Sequence, residues 1–240
     1  MSGHSKWHSI KHKKGLNDAK RGKILTKHSK IIMVAGRNDP NPDKNATLRV
    51  AIQNAKADNV PNENIQRILK KLSGSDKDAT QFSEQIYEGF GPLGIPFIVT
   101  AITDNTNRTT PAVKAAFAKN GGNMGAQNSV MYLFNHVGVI LIDNSGKTEN
   151  ELFELAIEAG ASDFEYDKEE SNVITDFKLL GIVRAELQNM NIKIQKSEPQ
   201  YRIKEPRILT KDESEKIEKF IENLEAIDDV DEVFGGFDIE

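Results

Sequence analysis

Cysteine is absent from the 240-residue chain. That excludes a disulfide framework, a thiol nucleophile and every thiolate metal site, and leaves His and carboxylates as the remaining metal ligands. Long apolar runs are missing too. None approaches the ~18 residues a membrane span needs, and the N-terminus lacks the apolar stretch of a secretory signal, so the expected location is the cytosol with no membrane partner. An import presequence would be Arg-rich, whereas the basic N-terminus is dominated by Lys. Tryptophan occurs once, as Trp7. Acid is scarce in one region only: residues 1–37 contain Asp18 against ten Lys and Arg, while the remainder holds 22 basic and 35 acidic residues. A basic arm on an acidic body points to contact with nucleic acid or another anionic surface through one end. From Lys211 onward twelve acids face three bases. A long duplex would be repelled there, so contact should be local.

Apolar spacing predicts a helix over residues 17–36, with Ile24, Leu25, His28, Ile31, Ile32 and Ala35 on one face and Gly36 closing it. After the loop NDPNPD, Asp43 is expected to cap a second helix that turns Leu48, Ala51, Ile52 and Ala55 inward. Pro61 is expected in the first turn of a third helix carrying Ile65, Ile68, Leu69 and Leu72. The polar stretch SGSDKDATQ reads as a linker. Beyond residue 80 the period becomes alternating, with strands over 85–88, 95–103 and 130–134. TDNTNR reads as a loop, followed by a helix that Thr110 caps and Pro111 begins. From Val137 the order is strand 137–142, helix 149–159, strands 163–166 and 172–175, helix 177–189 and strand 192–196. That β-α-β-β-α-β order is ferredoxin-like. A helix over 211–226 and a strand over 230–237 complete no unit of their own, so the tail is expected to return to the strands before the insertion. The expected fold is mixed α+β: a three-helix domain with its basic arm (1–80), a discontinuous α/β domain (81–134 and 206–240), and an inserted ferredoxin-like domain (135–205).

Lys20, Arg21, Lys23, Lys27 and Lys30 share the polar face of the first helix, preceded by Lys6, Lys11, Lys13 and Lys14 in the arm. One acid among eleven charges departs from an ordinary solvated face, where both signs intermix. Neutralising about five phosphates would give a slope of log affinity against log salt of about −3.5 to −4.5. Trp7 either stacks on an unpaired base or packs back on the helices. His4, His8 and His12 would share a helical face, either for a metal or for nucleic acid, and Lys6, Lys11, Lys13 and Lys14 around them oppose a cation. A second surface is DNTNRTTP, where Asn105, Asn107 and Arg108 offer donors near a helix start, with GGNMG at the other end of that helix; ordinary turn chemistry explains these residues equally. GFGPLG matches a dinucleotide fingerprint in letters only, since it contains Pro92 and leads into a strand, which makes it a hairpin. GKT at 146–148 reads as a turn and helix cap. No catalytic constellation is present, and no cofactor or metal is expected.

GHSKWHSIKHKKGLNDAKRGKILTK closely resembles the opening of the YebC/PmpR family. The resemblance continues through YEGFGPLG, TDNTNRT, FAKNGGNMG, SVMYLF and AIEAGASDFE to the final acidic segment, so it spans essentially the whole chain. Leu93 stands where the family usually has Gly, and Lys119 and Asn120 where a His is common. The resemblance implies a cytosolic, non-enzymatic, three-domain regulator. Members are labelled transcriptional regulators that bind promoter DNA, while others, mitochondrial relatives included, act at the ribosome as translation activators that relieve stalling. Nucleic-acid contact carries over to Lys6, Trp7, Lys11, Lys13, Lys14, Lys20, Arg21 and Lys23, and less directly to Asn107 and Arg108. The acidic body favours structured RNA, whereas the family label favours DNA. Two rivals remain open: an enzyme or small-molecule binder using an interdomain cleft at Arg108, and a protein-interaction adaptor indifferent to the arm's charge.

Overall fold

The computed structural model describes residues 18–74 and 81–239. Among them are seven α-helices and ten strands, arranged as a mixed α+β fold. Helices α1 (Asp18–Ala35), α2 (Ala46–Ala57) and α3 (Asn62–Ser73) close around Ile32, Leu48, Ala55 and Ile65, all essentially buried. The approach of α1 to α3 depends on Gly36, where a Cβ would come within 2.5 Å of Leu72. Asn45, and not Asp43, caps α2. Its side-chain oxygen accepts from the Leu48 amide at 3.0 Å while its amide nitrogen donates to the carbonyls of Ala35 and Asp39 at 2.7 and 2.8 Å. The amide side chain donates and accepts at once, so one residue ends α1 and starts α2, whereas an ionised carboxylate such as that of Asp43 only accepts.

Strands β1 (Ser83–Phe90) and β2 (Pro96–Thr103) form a hairpin in continuous register from Ser83↔Thr103 to Phe90↔Pro96. GFGPLG closes that hairpin and opens no α-helix: Gly94 takes a positive φ in the bend, while Gly89 and Gly91 make room for neighbours packed against them. Leu93 sits there at φ 61°, in the left-handed region. A side chain there costs about 1–2 kcal/mol, which glycine avoids at the expense of a freer unfolded chain. Leu93→Gly is therefore expected to stabilise by about 0.5–1 kcal/mol, seen as a thermal midpoint a few degrees higher. A lower midpoint would mean that the contacts of the exposed leucine side chain outweigh the strain.

Helix α4 (Thr106–Lys119) covers this sheet, whose short strand β3 (Asn123–Met124) pairs with β1. Residues 130–134 were expected to be a strand. The segment instead turns tightly over Met131–Leu133. Buried Glu88 accepts from the amides of Asn128, Val130 and Met131 at 2.6, 2.9 and 2.7 Å, which wraps the chain around one carboxylate and withdraws those donors from any ladder.

Strand β4 (Phe134–Asp143) then opens the β-α-β-β-α-β unit with α5 (Glu149–Glu158), β5 (Asp163–Tyr166), β6 (Glu170–Asp176), α6 (Leu180–Asn189) and β7 (Ile194–Ile203). Its antiparallel order, β5-β6-β4-β7, is ferredoxin-like, and Ile140, Leu152, Val173 and Leu187 fill its core. Thr148 and Glu151 form a capping box at the start of α5, in keeping with the reading of GKT as a turn and cap. Strand β7 runs to Ile203, well past the expected 192–196, because it follows the whole of β4 down to Phe134↔Ile203.

After β8 (Arg207–Leu209), helix α7 (Lys211–Glu225) packs beside α4, and β9 (Val230–Gly235) pairs with β2 to give the order β3-β1-β2-β9. Strand β10 (Phe237–Ile239) lies parallel to β8. Phe97, Phe117, Phe220 and Leu224 fill the core beneath this sheet. A smaller apolar joint of Ile98, Val130, Phe134, Ile203 and Phe234 connects the two larger sheets. On the other side, the Asn54 side chain on α2 donates to the Ser197 carbonyl at 2.7 Å and accepts from its amide at 3.2 Å, docking the helical bundle on β7.

A candidate nucleic-acid interface

Lys6, Trp7, Lys11, Lys13 and Lys14 lie outside the described residues, as do His4, His8 and His12. Lys20 and Arg21 fall in the first turn of α1, and Lys23 is exposed one turn on. Helical spacing places Lys23, Lys27 and Lys30 along one stripe. The far end of that stripe is engaged within the molecule. Lys27 Nζ lies 2.5 Å from Glu232 and 3.2 Å from Asp231, and Lys30 Nζ lies 2.9 Å from Asp229. These carboxylates belong to the acidic run 228–232, in which Asp229 lies in the turn before β9 and Asp231 and Glu232 in the strand itself. Burial works against the Lys27 charge, but Glu232 and Asp231 more than compensate and hold its pKa above the usual lysine range. Burial and the neighbouring Glu232 and Glu198 raise Asp231 against the pull of Lys27.

The second surface converges on the same turn. Helix α4 begins at Thr106 and not at Thr110, because the Asn105 side chain caps it by accepting from the Arg108 amide at 3.2 Å. TDNTNR is thus the cap and first turn of the helix, and Pro111 lies inside it. Arg108 reaches Asp229 Oδ2 from Nε at 3.1 Å and from Nη2 at 2.6 Å, with Asp104 at 2.9 Å. Thr109 and Thr103, both fully buried, place hydroxyls 2.8 and 3.3 Å from the same oxygen. Lys30 and Arg108, 78 positions apart in sequence, therefore hold opposite oxygens of one carboxylate. Asn107 is exposed beside Arg108, while GGNMG remains at the far end of α4, where it pairs with β1. Two clefts of about 570 and 550 Å³ flank the junction, and Arg108, which lines the first, is already paired with Asp229 and Asp104. Among the described residues no cluster of three or more His, Asp or Glu is arranged to hold a metal.

Burial alone would raise the Asp229 pKa, but hydrogen bonds from Arg108, Lys30 and Thr109 bring it down from 3.8 to about 2. A depressed carboxylate contributes stability that is full above its unfolded pKa and fades as pH falls toward the folded value. Denaturant midpoints of the parent and of Asp229→Asn are therefore expected to differ most near pH 5 and to converge toward pH 2. A gap independent of pH would show that the Asp229 charge contributes nothing to the fold.

Family models agree with this architecture along nearly its whole length. The TACO1/YebC N-terminal domain model matches residues 5–75, and the TACO1/YebC second and third domain model matches residues 82–237. The chain belongs to the TACO1/YebC family. Among similar TACO1/YebC proteins, one of Thermoanaerobacter pseudethanolicus is 43% identical over 242 residues, covering 100% of this chain and 98% of its own. One of Thermus thermophilus is 39% identical with the same coverage. Both carry the name "Probable transcriptional regulatory protein". The crystal structure of a conserved hypothetical protein of Aquifex aeolicus superposes with a TM-score of 0.85 at 39% identity, over 93% of this chain and 92% of that one.

Sequence reasoning did not find Asp229, Thr103 or Thr109. The available signal was the acidic run DDVDE, whose charge complements the stripe on α1.

Proposed function

We propose that this TACO1/YebC protein regulates gene expression by binding nucleic acid through its basic N-terminal arm and the start of α1. Segregation of charge carries the reading: ten basic residues against one acid in residues 1–37, on a body that is otherwise acidic. Lys6, Lys11, Lys13, Lys14, Lys20, Arg21 and Lys23 supply phosphate contacts, Trp7 stacks on a base or sugar, and exposed Asn107 adds a donor beside α4. The transcriptional names of the relatives favour promoter DNA. Contacts of this kind fix position and are salt-sensitive, without reading sequence themselves. No helix among the described residues is long and apolar enough to cross a membrane, which fits a partner in solution.

A second reading, ribosomal RNA in a translating ribosome, draws on the acidity of α7 and the turn after it. Twelve acids from Lys211 onward disfavour a long straight duplex along the body and favour insertion of the arm into a folded RNA. Crosslinking in cells followed by sequencing of the bound nucleic acid tests both. Promoter fragments would support transcription and ribosomal RNA translation. Enrichment of neither would refute the function proposed here.

A further inference from the structure

The geometry points to a phosphodiester site built from Lys30, Arg108, Thr103 and Thr109, which Asp229 occupies in the closed molecule and which a nucleic-acid backbone takes over on binding. This rests on the nucleic-acid reading above and extends it to the regulation of that interface. Five donor atoms converge on the Asp229 carboxylate: Lys30 Nζ on Oδ1, and Arg108 Nε, Arg108 Nη2 and the hydroxyls of Thr103 and Thr109 on Oδ2. A phosphodiester presents the same pair of oxygens with the same single negative charge, and guanidinium, ammonium and hydroxyl groups are its usual partners. Both threonines are fully buried, so the donors stay in place whichever anion they hold. Room for a larger occupant exists beside them, in the 570 Å³ cleft lined by Lys30, Arg108 and Thr109 together with Asp104, Asp228 and Asp229, so an incoming phosphate gains only once Asp229 has left.

Lys27 repeats the pattern one turn earlier, where Asp231 and Glu232 take the position of a neighbouring phosphate. The turn and the start of β9 thus present Asp229, Asp231 and Glu232 to α1 as a short polyanion held in cis. Because the arm runs directly into α1, a nucleic acid held by the arm delivers further phosphates to the same stripe at high effective concentration and competes with the turn. Exchange of one anion for another leaves no buried cation unpaired, which keeps the opening inexpensive. In the closed form the same contacts hold the helical bundle against the sheet.

Titration of fluorescent mixed-sequence single-stranded RNA and duplex DNA, each over a range of salt, tests this. Asp229→Asn is expected to bind several-fold more tightly than the parent. Its salt slope should match that of the parent, since Lys30 and Arg108 meet phosphates in both complexes and only the cost of displacing Asp229 is gone. An unchanged affinity in a folded Asp229→Asn protein would show that the turn is only a structural clamp and overturn the inference while leaving the nucleic-acid reading intact. A parent protein that binds neither probe at any salt would remove both. A second measurement keeps Asp229 in place: with no native cysteine, Lys114→Cys on α4 and Asp228→Cys in the turn, both exposed, can carry a pair of spin labels. The distance between them should lengthen at saturating RNA or DNA. An unaltered distance with probe bound would overturn the exchange even if Asp229→Asn fails to fold.

Discussion

Replacing Lys6, Lys11, Lys13 and Lys14 together by Gln should weaken nucleic-acid binding by roughly two to three orders of magnitude near 0.1 M salt and flatten its salt slope by about 3. Each lysine that neutralises a phosphate releases a counterion worth about 0.7–0.9 in that slope, so four substitutions remove about 2.8–3.6 of it. Gln keeps most of the length and polarity of Lys, so the circular dichroism spectrum and thermal midpoint should stay unchanged. Fluorescence anisotropy titrations at several salt concentrations read both quantities. Binding that keeps its strength and slope after this change would move the interface away from the arm. Trp7→Ala should act differently: affinity falls by roughly 1–3 kcal/mol if the ring stacks on a base, while the slope stays the same. Charge and stacking are thus separable by their response to salt.

Phe220→Ala should lower the stability of the unit built on the middle sheet by about 3–5 kcal/mol. Phe220, on α7, meets Phe97 of β2 edge-on at a centroid distance of 4.8 Å and Phe117 of α4 at 5.1 Å, and all three rings are fully buried. Truncation leaves a ring-sized cavity where two sequence-distant segments meet, and it removes two edge-to-face contacts of about 0.5–1.5 kcal/mol each. The backbone leaves little room for repacking, because a Cβ at Gly91 would already lie 2.6 Å from Phe97 and 2.7 Å from Phe220. Thermal or denaturant unfolding followed by near-ultraviolet circular dichroism should show the loss, with Phe220→Leu retaining much of the parent stability. A loss below about 1 kcal/mol would mean that α7 adds little to this core.

The class of fold was legible because it depends on periodicity. The shift from helical to alternating spacing near residue 80 and the β-α-β-β-α-β order after Val137 are both local signals. Termini of elements were not legible where a distant group decides them. Glu88, some 40 positions away, turns residues 128–131 into a tight wrap, and the length of β7 follows from β4, its partner. Asn45 was overlooked as the cap because its second role, closing α1, is visible only when the helices are packed. The same limit applies at the interface. Sequence gave Lys30 and Arg108 as members of two separate surfaces, and their meeting at Asp229 requires β9 to lie next to β2. The acidic run was read for what it would repel, while the structure adds what it attracts.

The pairing of β9 with β2 also orders events during synthesis. All six elements of the ferredoxin-like unit leave the ribosome before α7 and β9, so that unit can fold while the Pro96–Thr103 strand still presents a bare edge and the Phe97 ring lacks its cover. Over the same interval the lysines of α1 have no carboxylates from residues 228–232 to meet. A newborn chain stalled at that point would expose a sticky strand and its most positively charged face together, which makes the late stretch of translation the window in which chaperones, or stray RNA, have most to hold.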